Sequence, residues 1–177
     1  MTSVWLEPQQ GIAIADGRPL VVALPAWYEL RPLEAITMHR WVRIRYSTGF
    51  FDPLTRPVIR FQTRDGRFHY NIMNGAILGS AEWIGRVPKN TIAVAISPTR
   101  HLGPFAFRVD SIRSVSRLSL VSRGMLINPR RTYASITRRL TNARQSSWDL
   151  LKFVNASTPF SRYHGWYQRF SRAVDLD

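Results

Sequence analysis

The sixteen residues Pro57 to Ile72, PVIRFQTRDGRFHYNI, decide the fold. From Pro57 to Thr63, Ile59 and Phe61 oppose Val58, Arg60 and Gln62, the period-two alternation of a strand with two unlike faces. Asp65-Gly66 follows, a dipeptide suited to the positive φ angles of a tight hairpin turn. Arg67 to Ile72 is then the returning strand. A lone hairpin is marginal in water, so further strands must lie on either side of it.

They are found in both directions. Leu20 to Leu24 reads as a strand ended by Pro25. Trp41 to Tyr46 alternates, with Val42, Ile44 and Tyr46 on one face and Trp41, Arg43 and Arg45 on the other. Downstream, Ala81 to Val87 is an apolar strand closed by a turn at Pro88, Lys89 and Asn90. Thr91 to Ile96 puts Ile92, Val94 and Ile96 on one face. After a loop from Pro98 to Pro104, Phe105, Phe107 and Val109 alternate with Ala106, Arg108 and Asp110. Short, evenly spaced strands with turn residues between them predict a mainly β fold, an antiparallel, jelly-roll-like β-sandwich over residues 1–114.

The period changes at Ser114. Val115, Leu118, Val121, Met125 and Leu126 recur at helical spacing. Asn128-Pro129 and Thr158-Pro159 are helix-start signals, a capping side chain followed by proline. Phe160, Tyr163, Tyr167 and Phe170 fall on one side of the last helix. Residues 115–177 therefore read as a basic appendage of two or three amphipathic helices.

Composition bounds the function. The chain has 177 residues and no cysteine, which excludes a disulfide framework and a thiolate metal site. No apolar run approaches the ~20 residues of a membrane-spanning helix. The first residues, MTSVWLE, lack the pattern of a signal peptide, so a cytoplasmic protein is expected. The formal charge is +14. Residues 1–110 hold 13 basic and 8 acidic side chains, and residues 111–177 hold 12 and 3, so the last third carries most of the excess. The four histidines are scattered, and no HExxH, GxxxxGK[ST], GxGxxG or GxSxG motif occurs. Asp175-Leu176-Asp177 forms an Asp-x-Asp string, but with no nucleotide-binding fold before it. No catalytic residue, cofactor or metal is expected.

Three strings carry a resemblance: WVRIRYSTGFFDPLTRPVIRF (Trp41–Phe61), AEWIGRVP (Ala81–Pro88) and SPTRHLGPFAFRVDSI (Ser97–Ile112). Together they resemble the N-terminal accessory region of large bacterial family 2 glycosyltransferases. The stretch ending TPFSRYHGWYQRF (Thr158–Phe170) is similar to the linker into the catalytic domain. The resemblance implies a β-sandwich and a setting in surface-polysaccharide assembly. It does not imply the activity, because no βαβ pattern remains in this chain to build a transferase domain.

Candidate binding residues follow from face and chemistry. Arg43, Arg45 and Arg60 share a sheet face if their strands are neighbours, and Trp41 lies with them. A ring stacks on the apolar side of a sugar and a guanidinium bonds its hydroxyls or acidic groups. The alternative is a solvated face of arginines paired across strands with Asp or Glu. Phe50 and Phe51, in a loop with Asp52 and Pro53, are candidates for a glycan rim. Trp83 belongs to the core. In the tail, Arg138, Arg139, Trp166, Tyr167 and Phe170 form a basic, aromatic surface suited to anionic headgroups or a partner protein, which would hold the chain at the inner membrane. Three functions compete: a non-catalytic module binding a glycan or a glycosyltransferase catalytic domain, a fragment or subunit of a glycosyltransferase, and, last, a nucleic-acid-binding protein suggested by charge alone.

Overall fold

The computed structural model describes residues 4–38, 41–48, 56–76, 79–127, 129–130, 132–134 and 137. The chain divides into two units, Met1–Leu120 and Val121–Asp177. The described part of the second is helical.

The first unit is antiparallel β throughout. Its strands are β1 (Trp5–Gln10), β2 (Ile12–Ala15), β3 (Arg18–Val21), β4 (Trp27–Arg31), β5 (Trp41–Thr48), β6 (Val58–Thr63), β7 (Phe68–Ile72), β8 (Ser80–Arg86), β9 (Thr91–Ser97), β10 (Gly103–Pro104) and β11 (Phe107–Ser114). A single turn, α1 (Glu34–Thr37), precedes β5, and α2 (Arg117–Ile127) follows β11. Five strands pair in the order β1-β4-β9-β6-β7, three in the order β11-β5-β8, and a small third sheet runs β10-β3-β2.

The core lies between the five-stranded and three-stranded sheets. Leu30, Ile59, Phe61, Val94 and Ile96 enter it from one, and Val42, Ile44, Tyr46, Trp83 and Val109 from the other. The Phe61 and Trp83 rings meet across the layer at 6.2 Å. Each fully buried side chain of this size contributes roughly 1.5–3 kcal/mol. Trp83 folds back over its own strand: a Cβ on Gly85 would sit 1.9 Å from its ring, so only glycine fits there. The Tyr46 hydroxyl donates to the Asn74 carbonyl, and the Asn74 amide donates to the Glu82 carbonyl at 2.6 Å. These bonds tie the segment after β7 to the three-stranded sheet. Burial pushes the Tyr46 phenol far above its ordinary value, so it remains a donor.

The expected hairpin forms with Phe61 opposite His69 and Gln62 opposite Phe68, and Gly66 takes a φ of 80°. The inward set Val42, Ile44 and Tyr46 is fully buried. Other expectations are corrected. The strand expected at Leu20–Leu24 is Arg18–Val21; beyond it Val22 N–H and Ala23 N–H both donate to the single Gly11 carbonyl, two residues against one, and the regular pairing with β2 ends there. Ile92, expected inward with Val94 and Ile96, is exposed: the register on β6 slips at this residue, Gln62 facing Ala93 but Thr63 facing Thr91, and a bulge re-aims its side chain. The change to helix comes at Arg117, not Ser114. Ser114 pairs with Val42 and Val115 N–H donates to the Trp41 carbonyl, so the sheet claims these backbone groups first. Ser116 then caps α2, its hydroxyl accepting from Ser119 N–H at 3.1 Å. The apolar stripe expected along that helix is not buried as a set: Leu118 is 82% and Leu126 87% exposed. Phe50 and Phe51, and the tail from 138 to 177, lie outside the described residues.

Candidate functional site

The β6–β7 hairpin positions the site. Its turn is closed by Thr63: Thr63 N–H donates to the Arg67 carbonyl at 3.0 Å and Gly66 N–H to the Thr63 carbonyl at 2.9 Å. The Thr63 hydroxyl donates to the Asp65 carboxylate, and this bond leads in holding that carboxyl below its ordinary range. The register puts Arg60 opposite Tyr70 and Gln62 opposite Phe68, so Arg60, Phe68 and Tyr70 share the outer face.

On the other side of β6 the neighbour is β9, with Arg60 opposite Ala95, and Ala95 in turn faces Glu29 of β4. Trp27, two residues before Glu29, therefore lies on the same outer face. Ala95 is small, and the long Arg60 side chain can cross over it. The Arg60 guanidinium carbon stands 4.4 Å from the Trp27 ring centroid and 5.1 Å from that of Phe68, inside the range of cation–π attraction. Tyr70 completes the cluster, 6.3 Å from Trp27 and 6.3 Å from Phe68 between ring centroids. Trp27 is buried beneath the arginine, while Phe68 and Tyr70 are 46% and 42% exposed. Among the described residues no carboxylate pairs with Arg60. The nearby acid Glu29 is held by Arg31 at 2.9 Å and by the Gln9 amide. The arrangement offers two open rings beside a guanidinium whose orientation is fixed by stacking and not by an acid.

The residues expected to surround Arg60 are elsewhere. β5 pairs with β8 and β11, and β6 with β7 and β9, so Arg43 and Arg45 belong to a different sheet from Arg60. Alternation predicted their outward direction, but neighbourhood is a long-range property that it does not contain. Glu82 stands opposite Arg45, with the Arg45 and Arg43 Nε atoms 3.1 and 3.8 Å from its carboxylate. This is the cross-strand pairing of the alternative reading. Trp41 is 7% exposed and offers no open ring. Arg138, Arg139, Trp166, Tyr167 and Phe170, like Phe50 and Phe51, lie outside the described residues.

Trp27, Phe68 and Tyr70 were not singled out from sequence. Two of them lie on the hairpin that Asp65-Gly66 announces, but their face was not readable: a two-residue turn would set Arg60 opposite Asn71, whereas the observed loop, Arg64 to Gly66 closed by Thr63 and Arg67, sets it opposite Tyr70. Trp27 gave no local signal, because it reaches the cluster through β9. Among the described residues no helix is long and apolar enough to cross a membrane, and no three His, Asp or Glu side chains converge as metal ligands would. No family model, curated protein or solved structure matches the chain.

Proposed function

We propose that the chain is a non-catalytic glycan-binding accessory module, acting beside a glycosyltransferase of surface-polysaccharide assembly on the cytoplasmic side of the inner membrane. The observation that carries the binding half is Arg60, stacked between Trp27 and Phe68 next to the open rings of Phe68 and Tyr70. Sugars present apolar C–H faces to rings and hydroxyls or carboxylates to a guanidinium, so both halves of the cluster have a use. The glycosyltransferase half rests on the resemblance of the segments at Trp41–Phe61, Ala81–Pro88 and Ser97–Ile112.

A glycan array followed by calorimetry tests the binding half. Neutral and uronic-acid polysaccharides are compared on the wild type, Tyr70→Ala and Arg60→Gln. Loss of the Tyr70 ring should weaken binding about tenfold, the scale of one stacking contact with its buried area. Arg60→Gln should weaken acidic glycans more than neutral ones. No binding to any polysaccharide, or equal affinities in all three proteins, removes the proposal. Co-purification with a nucleotide-sugar transferase from the native host tests the setting.

A further inference from the structure

The turn from β8 to β9 carries a second arrangement that shares no residue with the aromatic cluster and does not depend on the glycan reading. Val87-Pro88-Lys89-Asn90 makes the connection, and Asn90 sits at a φ of 58°, which asparagine tolerates better than most residues. The loop is fixed at several points. The Asn90 carbonyl accepts from Arg64 N–H at 2.9 Å, and the Thr91 hydroxyl donates to the Pro88 carbonyl at 2.8 Å. Between this loop and the end of α1 lies a cavity of about 410 Å³, lined by Thr37, Arg86, Lys89, Asn90 and Thr91 among others. That size is in the range of small-molecule sites.

The lining is one-sided in charge. Among the described residues it contains two cations and no carboxylate. Among the described residues neither Arg86 nor Lys89 forms an ion pair. The Thr37 and Thr91 hydroxyls already donate to the Leu33 and Pro88 carbonyls. The donors left to a ligand are the guanidinium, the ammonium and the Asn90 amide. Like charges lining one concave wall raise the local potential and favour an anion in their midst. Two cations match a dianion better than a monoanion. A phosphate monoester carries about two negative charges at neutral pH and three acceptor oxygens, and arginine with lysine suits it both as a fork and as a point charge. A phosphate alone leaves most of the cavity empty, so the space fits the organic part of the ester as well.

We propose that this cavity binds a small, soluble phosphate monoester, held by Arg86, Lys89 and Asn90. The test is a backbone amide NMR titration of the full chain at constant ionic strength. Inorganic phosphate is the first probe, glucose 1-phosphate the second, and acetate the monoanion control. Phosphate should move the amides of residues 86–91 saturably, glucose 1-phosphate should do so at lower concentration, and acetate should not. Lys89→Gln, on an exposed turn, should weaken the response several-fold, and Arg86→Gln about tenfold or more, the scale of a lost charge-assisted hydrogen bond. Arg60→Gln should leave it unchanged, which separates this site from the glycan site. Shifts that do not saturate, that spread over other arginines, that acetate reproduces, or that survive both cavity variants would overturn the proposal. Binding to phosphatidic acid vesicles with no response to either soluble phosphate would overturn it too, by assigning the cations to a membrane surface.

Discussion

Arg60 and the arginines of the three-stranded sheet hold equivalent, outward strand positions and are employed differently. On the three-stranded sheet, Arg43 and Arg45 converge on Glu82, and Arg108 Nε donates to Asp110 at 2.8 Å. On the five-stranded sheet Arg31 is likewise held by Glu29 and Glu7, but Arg60 meets two rings and, among the described residues, no acid. Alternation along a strand decides which way an arginine points. The strand beside it decides what the arginine is for. An exposed ion pair is worth about 0–1 kcal/mol and leaves little for a ligand. A guanidinium stacked on rings keeps its in-plane donors available, because the ring takes only its face.

The strongest way to break this contrast is Trp27→Ala. Trp27 is a buried platform, so its loss should cost about 3–5 kcal/mol in urea denaturation, the usual scale for a large aromatic. It should also abolish glycan binding under conditions where the protein stays folded. A loss below about 1 kcal/mol would mean that Arg60 and Tyr70 hold the face without it. The corresponding change beneath the other sheet is Gly85→Ala. The added methyl meets the Trp83 ring at 1.9 Å, and forcing that ring to move should cost about 1–3 kcal/mol. Here glycan binding should survive, since the strain lies in the opposite sheet. Equal loss of binding in both variants would show that the two faces are not independent.

The contrast also marks where the sequence was legible. The β6–β7 hairpin and the inward set Val42, Ile44 and Tyr46 could be read because each is local: a turn dipeptide, or side chains alternating between core and water. β4 could not. Trp27, Tyr28, Glu29 and Leu30 are all buried, so the alternation that marks a half-wet strand is absent, and Glu29 is tolerated only because Gln9 and Arg31 satisfy it. β1 was hidden by its polar residues and Pro8, which an edge strand accepts because one side of its backbone needs no ladder partner. The glycan cluster was legible only as far as the hairpin's existence. Which β7 residues flank Arg60 depends on whether the loop holds two residues or three, and Trp27 arrives by a pairing across β9 that no local pattern encodes.

Glu82→Gln sharpens the comparison from the other side. It removes the negative charge that Arg43 and Arg45 share, and should cost about 1 kcal/mol at low salt and less at high salt. The variant should gain weak affinity for anionic glycans on the three-stranded sheet, read by calorimetry against the wild type. If neither stability nor anion affinity changes, the pairing with Glu82 does not explain why that face differs from the one around Arg60.

The smallest effect concerns the acid of the hairpin itself. Asp65 lies close to Arg60 in sequence, yet its carboxylate is occupied by the Thr63 hydroxyl and by Arg67 at 3.3 Å. Its folded value lies below the ordinary 3.8, so the charged form stabilises the turn above that ordinary value. The contribution disappears as pH falls through the lower folded value. Amides of the turn at Thr63 to Arg67 should therefore exchange faster, relative to the core amides of Phe61 and Val94, in acid of about pH 3 than at about pH 6. Asp65→Asn should flatten that dependence and open the turn slightly at neutral pH. If the turn amides keep the same protection across this range, the carboxylate is not engaged by the turn. It would then be available to Arg60, and the absence of an acid partner, on which the difference between the two faces depends, would no longer hold.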